Sequence, residues 1–217
     1  MIFLKNNRGR LKETFSSFLD PVPLSHGEVL DDNGHFRGDH DLNPASAPKT
    51  DAVYKAAAVL VPIVMHGDDP TIILTKRASH LNKHAGQISF PGGRAEETDA
   101  GPVGTALRES EEEISLNPEL VDVIGTLNTY LTVTNYSVTP IVGFVEPGFQ
   151  LAPDAGEVAE IFEVPLRFLL DKRNHKKHSG FHNGIERFWY AMPYNDYYIW
   201  GATAGMIKDM SERVILK

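Results

Sequence analysis

Residues 92–116 read Gly92-Gly93-Arg94-Ala95-Glu96-Glu97-Thr98-Asp99-Ala100-Gly101-Pro102-Val103-Gly104-Thr105-Ala106-Leu107-Arg108-Glu109-Ser110-Glu111-Glu112-Glu113-Ile114-Ser115-Leu116. A glycine turn leads into a helix. Pro102 suits its start, where a missing N–H costs nothing, and Pro118 keeps it from running far beyond Ile114. The last turns crowd Glu109, Glu111, Glu112 and Glu113 together. That is the end where the helix dipole disfavours negative charge, and like charges three and four residues apart repel by about 0.2–0.5 kcal/mol per pair. A local rule broken this plainly marks a site. Glu109, Glu112 and Glu113 stand at i, i+3 and i+4, so they share one face with Cβ atoms ~5–6 Å apart. Glu111 falls off that face and is expected in solvent. Carboxylates so spaced hold one divalent cation, or two with bridging oxygens, because hard cations such as magnesium take oxygen ligands. Arg108 reaches Glu112 at i+4, or a carboxylate of the preceding loop such as Asp99, and so keeps the acidic face in register. A charge run is ordinarily a solvated face. The glycines upstream weigh against that, because only glycine lets backbone N–H groups approach phosphate oxygens closely.

The rest of the 217-residue chain reads as one large domain with an extension, residues 1–50 and 51–217. The first 20 residues suit an amphipathic surface helix with Leu11, Phe15, Phe18 and Leu19 on one side. Their Lys5, Arg8, Arg10 and Lys12 faintly resemble a transit peptide, but no apolar core of a secretory signal is present. Residues 20–50 look like an irregular arm rich in proline and glycine. There Asp31, Asp32, Asp39 and Asp41, near His35 and His40, suit a solvated linker better than a second metal site. Residues 52–65 form an apolar run in which Pro62 implies an edge strand or a bulge. Strands are expected at 71–76, 87–90, 122–128 and 137–145, with 129–139 a polar, flexible connector. A short helix at 166–170, a hairpin from 187–192 and 197–200, and a closing helix at 202–214 complete the order. Without a strict βαβ rhythm this is an α+β chain with a mixed sheet. Trp189, Tyr190, Tyr194, Tyr197, Tyr198 and Trp200 alternate as core residues do. His175-Lys176-Lys177-His178, followed by His182, reads as a mobile hairpin entry rather than a metal or phosphate patch.

Composition narrows the functions. The net charge of −8, from 21 basic and 29 acidic residues, argues against a general nucleic-acid binder or an anionic-membrane binder. An anionic ligand would have to be held by metal or by a local basic cluster. No apolar run reaches the ~18–20 residues that span a bilayer. The absence of cysteine excludes disulfides, thiolate zinc sites and cysteine nucleophiles, and a cytoplasmic location is expected. No serine-centred nucleophile motif or Walker-type loop occurs.

Arg108-Glu109-Ser110-Glu111-Glu112-Glu113-Ile114-Ser115-Leu116, behind Gly93, resembles the Nudix box, G-x5-E-x7-R-E-U-x-E-E-x-G-U with U aliphatic, at every charged position of its second half. Ser110 stands at an aliphatic position and Ser115 at a glycine. The loop is one residue longer than the pattern, which leaves its acid open among Asp99, Glu97 and Glu96. Upstream, Ile73-Leu74-Thr75-Lys76-Arg77-Ala78, then Gly86, then Phe90-Pro91-Gly92-Gly93, is similar to the motif of the coenzyme A pyrophosphatase branch. Asn82 occupies the place of that motif's second arginine, with Lys83 and His84 beside it.

The resemblance implies a Nudix fold, a mixed sheet between helices (α/β/α). It also implies hydrolysis of a nucleoside diphosphate linked to another moiety, with Mg2+ or Mn2+ as cofactor and a small nucleotide as substrate. By analogy Glu109 and Glu113 are the principal metal ligands and Glu112 is a ligand or the general base, with Arg108 in the same centre. Gly92 and Gly93 would border the phosphates. Glu157 or Glu160 would add a carboxylate from across the site. Arg77 and His84 would contact substrate phosphate, Arg77 foremost because arginine grips phosphate with two N–H groups. For coenzyme A or its acyl derivatives the products are 3′,5′-ADP and (acyl-)4′-phosphopantetheine. The rival readings are the same chemistry on ADP-ribose or a dinucleotide, and a ligand sensor without turnover. Exposed strand edges permit a homodimer without requiring one.

Overall fold

The computed structural model describes residues 8–26, 36–47, 53–182 and 184–214; Asp31, Asp32 and His35 lie outside the described residues. Two long apolar strands form the spine. β2 (Lys55–Val64) and β8 (Tyr136–Val145) pair in parallel over their full length, from Lys55 opposite Tyr136 to Val64 opposite Val145. The sheet runs β1 (Phe36–Gly38), β7 (Thr129–Leu131), β8, β2, β3 (Thr71–Arg77), β4 (Ile88–Ser89). In addition β5 (Gly92–Arg94) pairs with β2, β6 (Val121–Thr126) with β8, and β9 (Val158–Pro165) with β3. Among the described strands of this sheet β1–β7 and β2–β8 pair in parallel and the other pairs are antiparallel, so the sheet is mixed.

Successive residues of a strand point to opposite faces, and β2 shows what this does. Ala57, Val61 and Ile63 meet Leu11 and Phe15 of α1 (Arg8–Ser16), Leu166 and Leu169 of α3 (Leu166–Leu170), and Ile207 and Met210 of α4 (Gly201–Arg213). Ala58, Leu60 and Val64 meet Ala106 and Ile114 of α2 (Gly101–Ile114) on the other side. The result is the expected α/β/α sandwich, with α2 the one α-helix among the described residues on the face that carries the glutamates. A second antiparallel sheet, β10 (Lys176–His182), β11 (Ile185–Tyr194) and β12 (Tyr197–Trp200), adds Met192 and Ile199 to the α4 side.

Four expectations change. β2 is a central strand, not an edge, despite Pro62. Its outer side pairs with β5 at Ala57–Val59 and with β3 only from Ile63 onward. The Leu60 N–H bonds Pro91 O on that side, and Pro62, two residues on, faces the gap where partners change, so no ladder bond is lost. Residues 129–139 are not a connector: β7 and the first residues of β8 lie there, and Tyr130 and Leu131 are buried. The arm supplies β1 as the partner that makes β7 a strand. His175–His178 leads straight into a regular ladder, with Lys176 opposite Ala191 and His182 opposite Ile185. The aromatic set splits between two faces. Tyr190, Tyr194 and Tyr197 pack on the core, while Trp189, Tyr198 and Trp200 form a separate cluster with ring centroids 5.8 Å (Trp189–Trp200) and 6.3 Å (Tyr198–Trp200) apart.

α1 is short, yet it is bound into the main core. Phe15 is fully buried, 6.0 Å edge-on from Phe144 and 5.0 Å from Phe18. A phenylalanine truncated in such a site costs about 3–5 kcal/mol. Phe15→Ala should therefore lower the unfolding free energy by that amount in urea titration, and the half-buried Phe18→Ala by clearly less.

Candidate active site

α2 begins with no side chain capping its N-terminus. Instead the loop before it is knotted by Asp99, whose carboxylate accepts from the Glu96 N–H (2.8 Å), the Thr105 hydroxyl (2.7 Å), Arg108 Nε (2.8 Å) and Arg108 Nη2 (3.1 Å). Of the three loop acids that the longer spacing left open, Asp99 is the one bonded to Arg108. These bonds, Arg108 first, hold its carboxyl well below the usual carboxylate range. Arg108 in turn uses all five of its N–H donors. Beyond the two on Asp99, Nη2 reaches Arg94 O (3.1 Å) and Nη1 reaches Glu109 (3.0 Å) and Glu112 (2.9 Å). The expectation that Arg108 pairs with either Glu112 or the loop resolves as both.

Glu109, Glu112 and Glu113 do share one side of α2, and Glu111 is exposed. Their surroundings differ. Glu112 is 60% exposed, Glu109 16% and Glu113 4%. Glu113 Oε2 accepts the Gly92 N–H at 3.1 Å, and its Oε1 lies 3.5 Å from Arg77 Nη1. Burial pushes the Glu113 carboxyl up to about 7, against the Gly92 bond and the Arg77 charge, with Glu109 and Glu157 adding to the rise. Burial likewise raises Glu109. The glycines serve this packing. A Cβ on Gly93 would stand 2.5 Å from the Glu109 carboxylate, and one on Gly92 would stand 2.5 Å from Ala58 O. The Gly92 N–H, expected to face phosphate, is instead given to Glu113.

The helix exit tolerates both serines. Ser110 is buried and its hydroxyl donates back to Ala106 O (2.6 Å). Ser115 takes the left-handed conformation that glycine would supply, φ 57° and ψ 31°, and its N–H bonds Glu111 O. The following loop closes the helix end: the N–H groups of Ala152 and Asp154 donate to Ile114 O (3.1 Å) and Glu113 O (2.9 Å). Sequence reading did not find this clasp, since nothing in a loop marks its partner. It brings Glu157 beside Arg77 (Nη2, 3.7 Å) and into the field of Glu109 and Glu113. Glu160 is not part of the group. It lies on β9 with its side chain bonded to Tyr197 OH (2.5 Å), next to Phe162 stacked on Tyr197, on the opposite face of the sheet. His84 sits in the exposed loop after β3, at φ 57°, bonded to Gln87 (2.9 Å).

Among the described residues no three acidic or histidine side chains already converge in metal-coordinating geometry. The donor set nevertheless fits a hard divalent cation. Glu109, Glu113 and Glu157 lie together with Arg77 and Arg108 against them, the donors are all carboxylate, and the cradle at Gly93 leaves room for no side chain.

A carboxylate-rich helix behind a glycine turn, packed on a mixed sheet, defines a Nudix-type domain, and the NUDIX domain family model matches residues 54–183. The chain belongs to the Nudix family. It is 40% identical over 165 residues to NudL of Escherichia coli strain K12, described as an uncharacterized Nudix hydrolase, covering 76% of this chain and 85% of that one. Among solved structures it is similar to a Caenorhabditis elegans Ap4A hydrolase binary complex (TM-score 0.45, 17% identity, 51% of this chain and 80% of that one). It is also similar to the NUDIX domain of Shewanella oneidensis NrtR complexed with ADP ribose (TM-score 0.43, 20% identity, 57% and 80%). Family membership makes this chain a Nudix hydrolase acting on the pyrophosphate bond of a nucleoside diphosphate derivative. Nudix hydrolases in general use divalent metal ions. No helix of the described residues is long and apolar enough to cross a membrane.

Two consequences can be measured. The raised Glu113 carboxyl means that the unfolded chain ionises first. Metal-free stability should therefore fall as pH rises from about 4.5 to 7, by about 3 kcal/mol from this group, and Glu113→Gln should flatten that slope in urea titrations at pH 5 and 7.5. Asp99, shifted the other way, protects stability only above its ordinary range and loses it in acid, outside that window. At the helix exit, Ser115→Gly should stabilise by about 0.5–1 kcal/mol, less whatever the Ser115 hydroxyl bond to Ala152 O contributes, read as a higher Tm.

Proposed function

We propose that this Nudix hydrolase cleaves the pyrophosphate of coenzyme A or acyl-coenzyme A, giving 3′,5′-ADP and (acyl-)4′-phosphopantetheine. One observation carries the reading: the motif similar to that of coenzyme A pyrophosphatases delivers Arg77 from β3 to the acidic face of α2. Arg108 has no N–H left to give. Among the described residues at this cluster, Arg77, with its long contacts of 3.5 and 3.7 Å, is the cation available to a substrate phosphate. In this reading it takes the 3′-phosphate.

Glu109 and Glu113 would hold Mg2+ or Mn2+, with Glu157 adjoining. When bound, such an ion would neutralise charge on the diphosphate and lower the pKa of a water. The protein's own part is positional. Arg108 restrains Glu112, the most exposed carboxylate of the set, where it can accept the proton of an attacking water. The buried Glu113 resists ionisation until a cation compensates it, so cation binding should strengthen with pH up to about 7. A second reading, another substrate such as ADP-ribose, is favoured by Asn82 at the position of an expected arginine.

Incubation of the pure protein and magnesium with coenzyme A, dephospho-coenzyme A, ADP-ribose and a dinucleotide, with products identified by mass spectrometry, decides among these. Coenzyme A should be turned over at least about tenfold faster than its dephospho form, and Arg77→Gln should erase the difference; an arginine–phosphate bond of this strength is worth a factor of this order. Glu112→Gln should lower kcat by about 10²–10⁴. Equal rates on the two forms would remove the Arg77 assignment. Faster turnover of ADP-ribose would replace the substrate, and no turnover of any member would leave a ligand sensor.

A further inference from the structure

Residues 20–26 form a strap across the start of α2, outside the span matched by the family. One end is tied down where Asp20 bridges to Thr126 and accepts from Arg213 (2.9 Å). The strap then passes Val22, which packs into the core under α2. The Leu24 carbonyl occupies the space a Cβ on Gly101 would need, 2.6 Å away. At its end His26 Nε2 lies 3.0 Å from Thr105 Oγ1.

Thr105 is fully buried and has one hydroxyl proton. That proton goes to Asp99 Oδ2 at 2.7 Å rather than to Gly101 O at 3.4 Å. The Thr105 oxygen must then accept from His26, which assigns the imidazole hydrogen to Nε2. With Thr105 aligned, Asp99 receives four hydrogen bonds and fixes Arg108, whose Nη1 holds Glu109 and Glu112.

We infer that His26 is a positioning residue for the acidic helix: by orienting the Thr105 hydroxyl onto Asp99 it holds Arg108, and through it Glu109 and Glu112, in their places. The kinetic part of this inference rests on the hydrolytic reading above; the structural part does not. Because the chain is serial, losing the first bond should slacken the last without removing any group that meets substrate. In networks of this kind the pairwise loss is not additive, and a double-mutant cycle exposes the connection.

The test has two readouts on the full-length protein. In metal-free protein, the Arg108 Nε–H resonance, identified by its disappearance in Arg108→Lys, should be protected from exchange with water. Exchange should quicken roughly fivefold in His26→Ala and in His26→Phe, which keeps the ring shape but has no donor, and slow again in His26→Gln, which restores one. In turnover with magnesium, His26→Ala should lower kcat about three- to tenfold with KM little changed. Thr105→Val should do the same, and adding His26→Ala to it should do no further harm. Fully additive losses, or an Arg108 signal indifferent to His26, would overturn the inference. Wild-type behaviour of His26→Phe would show that the ring only packs, and would also overturn it. If no nucleotide is hydrolysed, the hydrolytic reading fails, and the exchange measurement alone still decides the role of His26.

Discussion

The ion pair between Asp99 and Arg108 is the joint on which the site depends. It lies between a loop and a helix that would otherwise meet at an arbitrary angle. Asp99 accepts four hydrogen bonds and Arg108 gives all five of its N–H groups, so neither can turn without leaving a partner unmet. A half-buried pair of this kind adds less to stability than its Coulomb energy suggests, because desolvation opposes it. What it secures is geometry: the loop 94–99 is bound to α2, and Glu109 and Glu112 hang from the same guanidinium.

Around that joint the structure maintains a conflict. Carboxylates gather at the C-terminal end of a helix, one of them nearly out of water, and two arginines only partly offset them. Glu113 shows the cost in its raised carboxyl. The glycines at 92 and 93 let backbone and carboxylate come close, and the loop 152–157 takes up the helix's last carbonyls. An arrangement held at such cost fits the proposed hydrolysis of a diphosphate, in which a cation would offset the gathered carboxylates.

The sandwich explains why the acidic face points where it does. β2 and β8, buried on both sides, set two layers. α1, α3 and α4 fill one face, leaving α2 to close the other with its apolar side down and its glutamates toward the turn after β4. Segments before residue 50 take part as well: α1 buries Phe15, β1 makes β7 a strand, and the strap at 20–26 reaches Thr105. Their sequence hides this, because the partners that give each of them its structure lie in other elements: Phe144 against Phe15, Thr129 opposite Phe36 and Thr105 beside His26.

By itself the sequence determined the local elements with strong periodicity, the sandwich class, and the acidic face of α2, because helical spacing and strand alternation are properties of neighbouring residues. It also carried the family, through charges at fixed intervals. Only the tertiary structure chose Asp99 over Glu96 and Glu97, brought Glu157 to the glutamates while sending Glu160 to the opposite face, gave the Gly92 N–H to Glu113, and accommodated Pro62 in a central strand. Those outcomes turn on which distant backbone lies alongside, and a strand's partner, unlike its pleat, is not written in its own residues.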